Sequence, residues 1–399
     1  MRRASTRALL AAQLRRLVRS LMCVAACLPV GACERAPPAA TAADSPPSPG
    51  TRLETLLAPA GQEQFALALD ARPFEFPRDH GPHPEFRHEW WYVTGHLDAE
   101  GGQRFGFELT FFRYAIAPGT QPAAEGSKWR ATQIHVAHFA ITDVSRGQFY
   151  FNERRDREAL QLAGAEAQPP RVWLQNWTLR LDGAQWQLSA GDARYALHLT
   201  LVPAGAPVLN GEQGLSRKSA DPGAASYYYS IPVLTARGDL TRGSESVQVR
   251  GTAWLDREWG SGALASDQAG WDWFALQLQD GSALMFYALR KRGGTRDPFS
   301  AGTWVDANGA RRALASADLD IEVLDHWRSP RGGTYPARWR LRQPALGLEL
   351  ELKPVLADQE LGTTPRYWEG AVDVSGRRGT QRIAGRGYVE LTGYAQSPE

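Results

Sequence analysis

Two side chains near the middle of the chain could do chemistry together if the backbone around them is extended. In Trp254-Leu255-Asp256 an indole and a carboxyl stand two residues apart, so strand alternation puts both on one face while Val249, Ala253 and Leu255 take the other. A carboxylic acid buried among apolar groups keeps its proton toward neutral pH, and an aromatic face attracts the positive charge of a carbocation, with tryptophan the best of them. Proton donor, apolar pocket and electron-rich wall are what the addition of water to an unactivated alkene requires. The competing use of Asp256 is a structural ion pair with its neighbour Arg257.

Glu89 is a second acid to weigh. On an extended strand it shares a side with Trp91, Val93 and Leu97, so it is expected to be buried, needing either a partner such as Arg113 or a proton. It is thus a structural pair or a pocket acid. In Ile134-His135-Val136-Ala137-His138-Phe139 the i,i+3 spacing sends the two imidazoles to opposite faces of a strand, which argues against a metal pair. His138 alone is left as a proton carrier or a satisfied core histidine. Asp272, between Trp271 and Trp273, carries the same two readings. The chain has no Gly-x-Ser-x-Gly elbow, no His-Glu-x-x-His, no phosphate loop and no complete dinucleotide fingerprint. Serine and zinc hydrolases are therefore disfavoured, and no cofactor or metal is called for.

The elements that must position these residues are short alternating stretches broken by Gly, Asp and Pro, which predicts an all-β body beyond residue 75. Internal repeats sharpen this. Trp90-Trp91-Tyr92 leads through Leu97 to a turn and then Phe105 to Arg113; Trp271-Asp272-Trp273 leads through Leu278 to a turn and then Leu284 to Arg290. Val249 to Asp256 aligns without a gap on Ile383 to Glu390, and Tyr228-Tyr229 matches Tyr367-Trp368. Two antiparallel units, each closing far from where it opened, suit two barrels in tandem. Of the 14 tryptophans, many fall in these repeated strands, so part of the aromatic surplus belongs to the architecture.

Several blocks in order carry a family resemblance. His83-Pro84-Glu85-Phe86-Arg87-His88-Glu89-Trp90-Trp91-Tyr92-Val93-Thr94-Gly95-His96-Leu97, Ser226-Tyr227-Tyr228-Tyr229-Ser230, Gly251 to Gly260 and Gly270-Trp271-Asp272-Trp273-Phe274 resemble the signature blocks of the AttH and carotenoid 1,2-hydratase family, from about Phe74 to Tyr394. The resemblance implies two tandem lipocalin-like antiparallel β-barrel domains. It also implies a divided functional record: cofactor-free hydration of terminal carotenoid double bonds in some members, and association with an ABC transporter permease in AttH-type members. Trp254-Leu255-Asp256 fits the aromatic-x-Asp motif that holds the acid of the hydratase branch. Tyr227 and Tyr229 fall at further site positions of that branch, with other side chains than it carries.

The first 32 residues hold six arginines and no acid, an apolar run from Leu21 to Val30, and Gly31-Ala32-Cys33. This is the layout of a signal peptide, and Val30-Gly31-Ala32-Cys33 resembles a bacterial lipobox with Cys33 as the lipidated residue. The other cysteines, Cys23 and Cys27, precede it, so the mature chain would form no internal disulfide. Glu34 rather than Asp follows the cysteine, which points to the periplasmic face of the outer membrane. Without the leader the body has 39 basic and 43 acidic residues, a net charge of −4, which argues against nucleic acid as a partner.

The organisation expected is a signal over 1–32, a Pro/Ala/Ser-rich tether over 33–60, and barrels over 61–262 and 263–399. The leading expectation is an envelope lipoprotein, membrane-anchored through Cys33, that binds a lipid or isoprenoid in an aromatic-lined barrel cavity formed by Trp91, Tyr227, Tyr229, Trp254, Trp271 and Trp273. An ABC transporter permease is its candidate partner. The alternative is a cofactor-independent hydratase with Asp256 as general acid and Glu89 and His138 as the other candidate catalytic groups.

Overall fold

The computed structural model describes residues 65–116, 131–262 and 264–395. The leader, Cys33 and the tether lie outside the described residues. Regular structure among the described residues is strand and short 3-10 turn, as the alternating pattern requires.

One sheet holds β1 (His88–Ala99), β2 (Arg104–Ala115), β3 (Gln133–Asp143), β4 (Gln148–Arg157), β5 (Ala163–Ala167), β6 (Pro170–Leu174), β7 (Trp177–Arg180), β8 (Trp186–Gly191), β9 (Tyr195–Pro203), β10 (Val208–Leu209), β11 (Leu215–Arg217), β12 (Ala225–Arg242) and β13 (Glu245–Gly260). The other holds β14 (Gln268–Leu278), β15 (Ala283–Lys291), β16 (Ala301–Val305), β17 (Arg311–Ala315), β18 (Asp320–Arg328), β19 (Thr334–Gln343), β20 (Leu348–Pro354), β21 (Glu360–Leu361), β22 (Tyr367–Arg378) and β23 (Gln381–Leu391). The first runs β4-β3-β2-β1-β13-β12-β9-β8-β7-β6-β5 and curls into a nearly closed barrel. The second runs β17-β16-β15-β14-β23-β22-β20-β19-β18, a half-barrel of the same wiring with two fewer strands on this path. These are the two tandem lipocalin-like units.

The repeat is visible in the register. In the first unit the opening strand pairs with the closing strand so that Tyr92 stands opposite Asp256; in the second, Trp273 stands opposite Glu390. On the other flank Ser230 faces Asp256 and Glu369 faces Glu390. Asp256 and Glu390 therefore occupy equivalent positions.

Each lumen is packed with side chains. Trp91, Phe107, Phe111, Trp177 and Trp259 fill the first, and Phe274, Phe286, Trp339 and Trp368 the second. Each such buried side chain contributes roughly 1.5–3 kcal/mol, which lets the fold stand without disulfides among the described residues. A third apolar cluster, with Tyr92, Tyr228, Trp254, Trp273 and Tyr388, is formed by the outer faces of both sheets against each other. The aromatic-lined cavity expected inside a barrel is found instead between the two units. Their approach is close. A Cβ on Gly106 would stand 2.7 Å from the Tyr388 hydroxyl and 2.8 Å from the Ala371 methyl, so glycine is what lets β2 dock on the second unit. The contact is fixed by Arg386 on Asp98 at 2.8 Å and by Gln277 Nε2 donating to the carbonyls of Pro232 and Ala253.

Candidate functional site

Between the two units lies a cavity of about 160 Å³, bounded by β1, β2, β3, β12 and β13 on one side and β14, β15, the start of β22 and β23 on the other. A dry cavity of roughly this size takes a benzene-sized group. Half-buried Trp90, Phe112, Tyr114 and Trp271 ring its entrance, and buried Tyr92, Tyr228, Trp273 and Tyr287 line the interior. Aromatic rings form a large part of its wall.

Asp256 is part of that wall. Its Oδ1 accepts from Ser230 Oγ at 2.5 Å and from Trp254 Nε1 at 2.7 Å, and its Oδ2 accepts from the Tyr228 hydroxyl. Tyr228 Oη in turn accepts from Trp273 Nε1 at 3.1 Å, which leaves its own proton to point at the carboxyl. The acid is thus held in one orientation by both units. Burial pushes it up to about 7 against the pull of those three donors, with Glu258 adding to the rise. Among the described residues no cation pairs with it: Arg257, the partner weighed from sequence, is on the opposite face of β13 and bonds Glu89 instead.

Other carboxyls gather along the same contact between the units. Glu390, also on the cavity wall, accepts one hydrogen bond, from Trp271 Nε1 at 3.2 Å, and burial raises it to about 8. Glu108 is likewise raised to about 8 by burial, and Glu369, which accepts from the Tyr92 hydroxyl at 2.5 Å, is pushed well above the usual range. One oxygen of each, Glu108 Oε2 and Glu369 Oε2, is buried without a partner, as suits carboxyls that stay neutral. Two half-buried cations stand at the wall, Lys218 and Arg366; Lys218 is 3.1 Å from Glu258, with its ammonium 4.0 Å from the centre of the Tyr287 ring. Burial alone would lower Lys218, but Glu258 beside it holds it charged.

Of the residues singled out from sequence, Asp256, His138, Trp271 and Trp273 line the cavity. Trp254 stands behind it, its indole N–H on Asp256 and its ring 6.4 Å from that of Trp273 in a T-shaped pair. Glu89, Trp91, Tyr227 and Tyr229 are on the lumen side of the first unit, because each is an odd step along a strand whose even positions face the second unit. Glu89 lies between Arg113 and Arg257, which hold its carboxyl well below the usual range despite complete burial. Trp91 lies under the Arg257 guanidinium at 3.8 Å. The hydroxyls of Tyr227 and Tyr229 are engaged by the segment before β1: Tyr227 donates to the Asp70 carbonyl at 2.9 Å, and Tyr229 bonds His80 Nδ1 at 2.6 Å. Asp272 pairs with Arg290 at 2.8 Å and accepts from Tyr394. The residues not foreseen are Tyr228, Trp90, Tyr287, Lys218 and Glu390. The antiparallel register held a signal for one of them, since Trp90, like Tyr92, shares a face with Asp256 once β1 and β13 are paired. Among the described residues no cluster of metal-binding side chains occurs.

Comparison with known proteins agrees with this architecture. The model of the AttH-like family matches residues 67–394. A crystal structure of an AttH protein from Nitrosomonas europaea superposes with a TM-score of 0.74 at 35% identity, covering 83% of this chain and all of that one. Kievitone hydratase from Nectria haematococca shares the fold, with a TM-score of 0.62 at 15% identity over 82% of this chain and 98% of its own. A dehydratase from Emericella nidulans, asqC, is 23% identical over 197 residues, 46% of this chain; the match spans about half, 54%, of that relative's length. Fold, repeat and family model agree, and the chain belongs to the AttH-like family.

Proposed function

We propose that this protein is a cofactor-independent lyase of the hydratase type, adding water to, or removing it from, an apolar substrate held between its two units. The observation that carries this reading is Asp256: a fully buried carboxyl with no cation partner, raised to about 7, on the wall of an aromatic cavity. Two relatives with names from water-adding and water-removing chemistry, a hydratase and a dehydratase, support it.

In the forward direction protonated Asp256 delivers its proton directly to one alkene carbon, while the Tyr228 hydroxyl, which donates to Oδ2, orients the carboxyl. The other carbon becomes a cation faced by the rings of Trp273, Tyr287 and Tyr92, whose π-faces stabilise positive charge. Water then forms the C–O bond and releases a proton to the medium, from which Asp256 regains one, so the carboxyl ends protonated again. The cavity admits the end of a substrate, and the half-buried aromatic rim suits an apolar remainder such as an isoprenoid chain. The envelope placement and lipid anchor read from Cys33 belong to the same proposal; a membrane-soluble substrate would be met there, and radiolabelled palmitate incorporation that is lost in Cys33→Ala tests it.

The direct test uses squalene, which ends in dimethyl-substituted double bonds, in detergent and heavy-oxygen water. Mass spectrometry is expected to find the heavy oxygen in a tertiary alcohol with the native protein, and the yield to fall about 10²–10⁴-fold in Asp256→Asn. Turnover equal in the two proteins, or none in either, contradicts the reading.

A further inference from the structure

Hydration needs a proton acceptor as well as a donor, and Asp256 supplies only the donor. Across the cavity from its strand, His138 on β3 and Tyr367 at the start of β22 meet on the wall, one from each unit. Tyr367 Oη lies 2.7 Å from His138 Nδ1, and His138 Nε2 lies 3.0 Å from Glu153 Oε2 on the neighbouring strand β4, where the two residues are paired in register. Glu153 is held ionised: its burial is outweighed by the hydrogen bond from His138 and the charge of Arg155, whose guanidinium sits 2.5 Å from its other oxygen. A carboxylate only accepts, so His138 Nε2 bears the proton. In the neutral ring Nδ1 is then the lone-pair nitrogen, and the Tyr367 hydroxyl must donate to it. The polarity of the chain is therefore fixed from the cavity outward: phenol to imidazole to carboxylate. Its outer end reaches solvent, with the Glu153 side chain 19% exposed and Arg155 48% exposed, while His138 is buried.

We infer that Tyr367, His138 and Glu153 form the base arm of the site, in which Tyr367 accepts a proton from the attacking water as it passes its own to His138. The inference rests on the hydratase reading and deepens it. The balance closes: the C–H bond takes the Asp256 proton, the C–O bond takes the water oxygen, and one water proton goes to Tyr367 as the phenol proton moves to Nδ1. The imidazolium is stabilised by Glu153, and the proton leaves to solvent while Asp256 regains one. Tyr367 is the catalytic member, touching the cavity; His138 and Glu153 act through it. The arm exists only when the two units are docked, because Tyr367 belongs to one and its acceptor to the other. A tyrosine occupies the equivalent place in the first unit, Tyr228, and it too donates its proton to a titratable partner, Asp256, so the duplicated position meets a carboxyl in one copy and an imidazole in the other.

The test follows squalene hydration by native protein, Tyr367→Phe, His138→Gln and Glu153→Gln, with binding of squalane, its saturated analogue, read by tryptophan fluorescence. Tyr367→Phe is expected to lose about 10²–10³-fold in turnover with unchanged KM and unchanged squalane binding. Glu153→Gln lowers the basicity of His138, so turnover falls less steeply and the acidic limb of its pH profile moves to lower pH, which a merely structural hydrogen bond would not do. Native turnover with full activity in Tyr367→Phe and an unmoved limb in Glu153→Gln overturns the base arm alone. Absence of turnover in the native protein overturns the hydratase reading and the arm with it. Should Tyr367→Phe lose squalane binding, Glu153→Gln, which lies outside the cavity, decides by its pH profile.

Discussion

The first unit's lumen and the seam between the units each bury several acids, and they treat them in opposite ways. In the lumen Glu89 is bonded by Arg113 and Arg257, and Asp79 by Arg72 and His83, and both carboxyls are held below the ordinary range. At the seam Asp256, Glu390, Glu108 and Glu369 have hydroxyl and indole donors or unpartnered oxygens, no guanidinium, and all are raised. Burial is equally complete at Glu89 and Asp256, so burial does not decide the protonation state; the countercharge does. The lumen acids act as glue. The seam acids are a store of protons beside a cavity.

Replacing an acid by its neutral amide should separate the two regions sharply. Glu89→Gln leaves two buried guanidinium groups without their anion, and a loss of about 3–5 kcal/mol is expected in denaturant unfolding. Asp256→Asn at pH 6 removes little charge, so its stability should stay within about 1 kcal/mol of native even though activity collapses. If the two variants were equally destabilised, the distinction between glue and proton store would fail.

The pH dependence sharpens the same contrast. The seam acids keep their protons to about 7 or 8, whereas in the unfolded chain they lose them near 3.8 and 4.5. Through that window the folded state binds more protons than the unfolded one, so stability falls as pH rises from about 4 to about 8 and then levels. The melting temperature should therefore drop between pH 5 and pH 8, and the drop should shrink in Asp256→Asn combined with Glu390→Gln. Glu89 works the other way: its contribution is present above the ordinary carboxylate range and is lost only as pH falls through its depressed value. The smallest effect belongs to Glu369→Gln, which exchanges one neutral group for another; at pH 6 a change within about 0.5 kcal/mol is expected by the same unfolding measurement.

Much of this was legible in the residues. The duplicated hairpins and closing strands became the two sheets, and Trp254 and Asp256 do share a face. Which face met the cavity was not legible, because β1 is buried on both sides: Trp91 and Val93 by the lumen, Tyr92 and Thr94 by the second unit. A period of two distinguishes sides, not what covers them. Alternation alone therefore does not separate Trp91, Tyr227 and Tyr229, which face the lumen, from their neighbours Trp90 and Tyr228, which line the cavity. Glu89 was legible as a buried acid beside Arg113, yet its second partner, Arg257, is 168 positions away and becomes a neighbour only through β1–β13 pairing.

The central claim, that Asp256 in the native cavity keeps its proton far above the ordinary carboxylate range, up to about pH 7, is open to one direct measurement. Carbon-detected NMR of aspartate carboxyls, with the Asp256 signal assigned by its loss in Asp256→Asn, follows that group alone through a pH titration. A midpoint near 7 is the result expected here; a midpoint near 4, with the carboxyl ionised throughout the neutral range, would contradict the account.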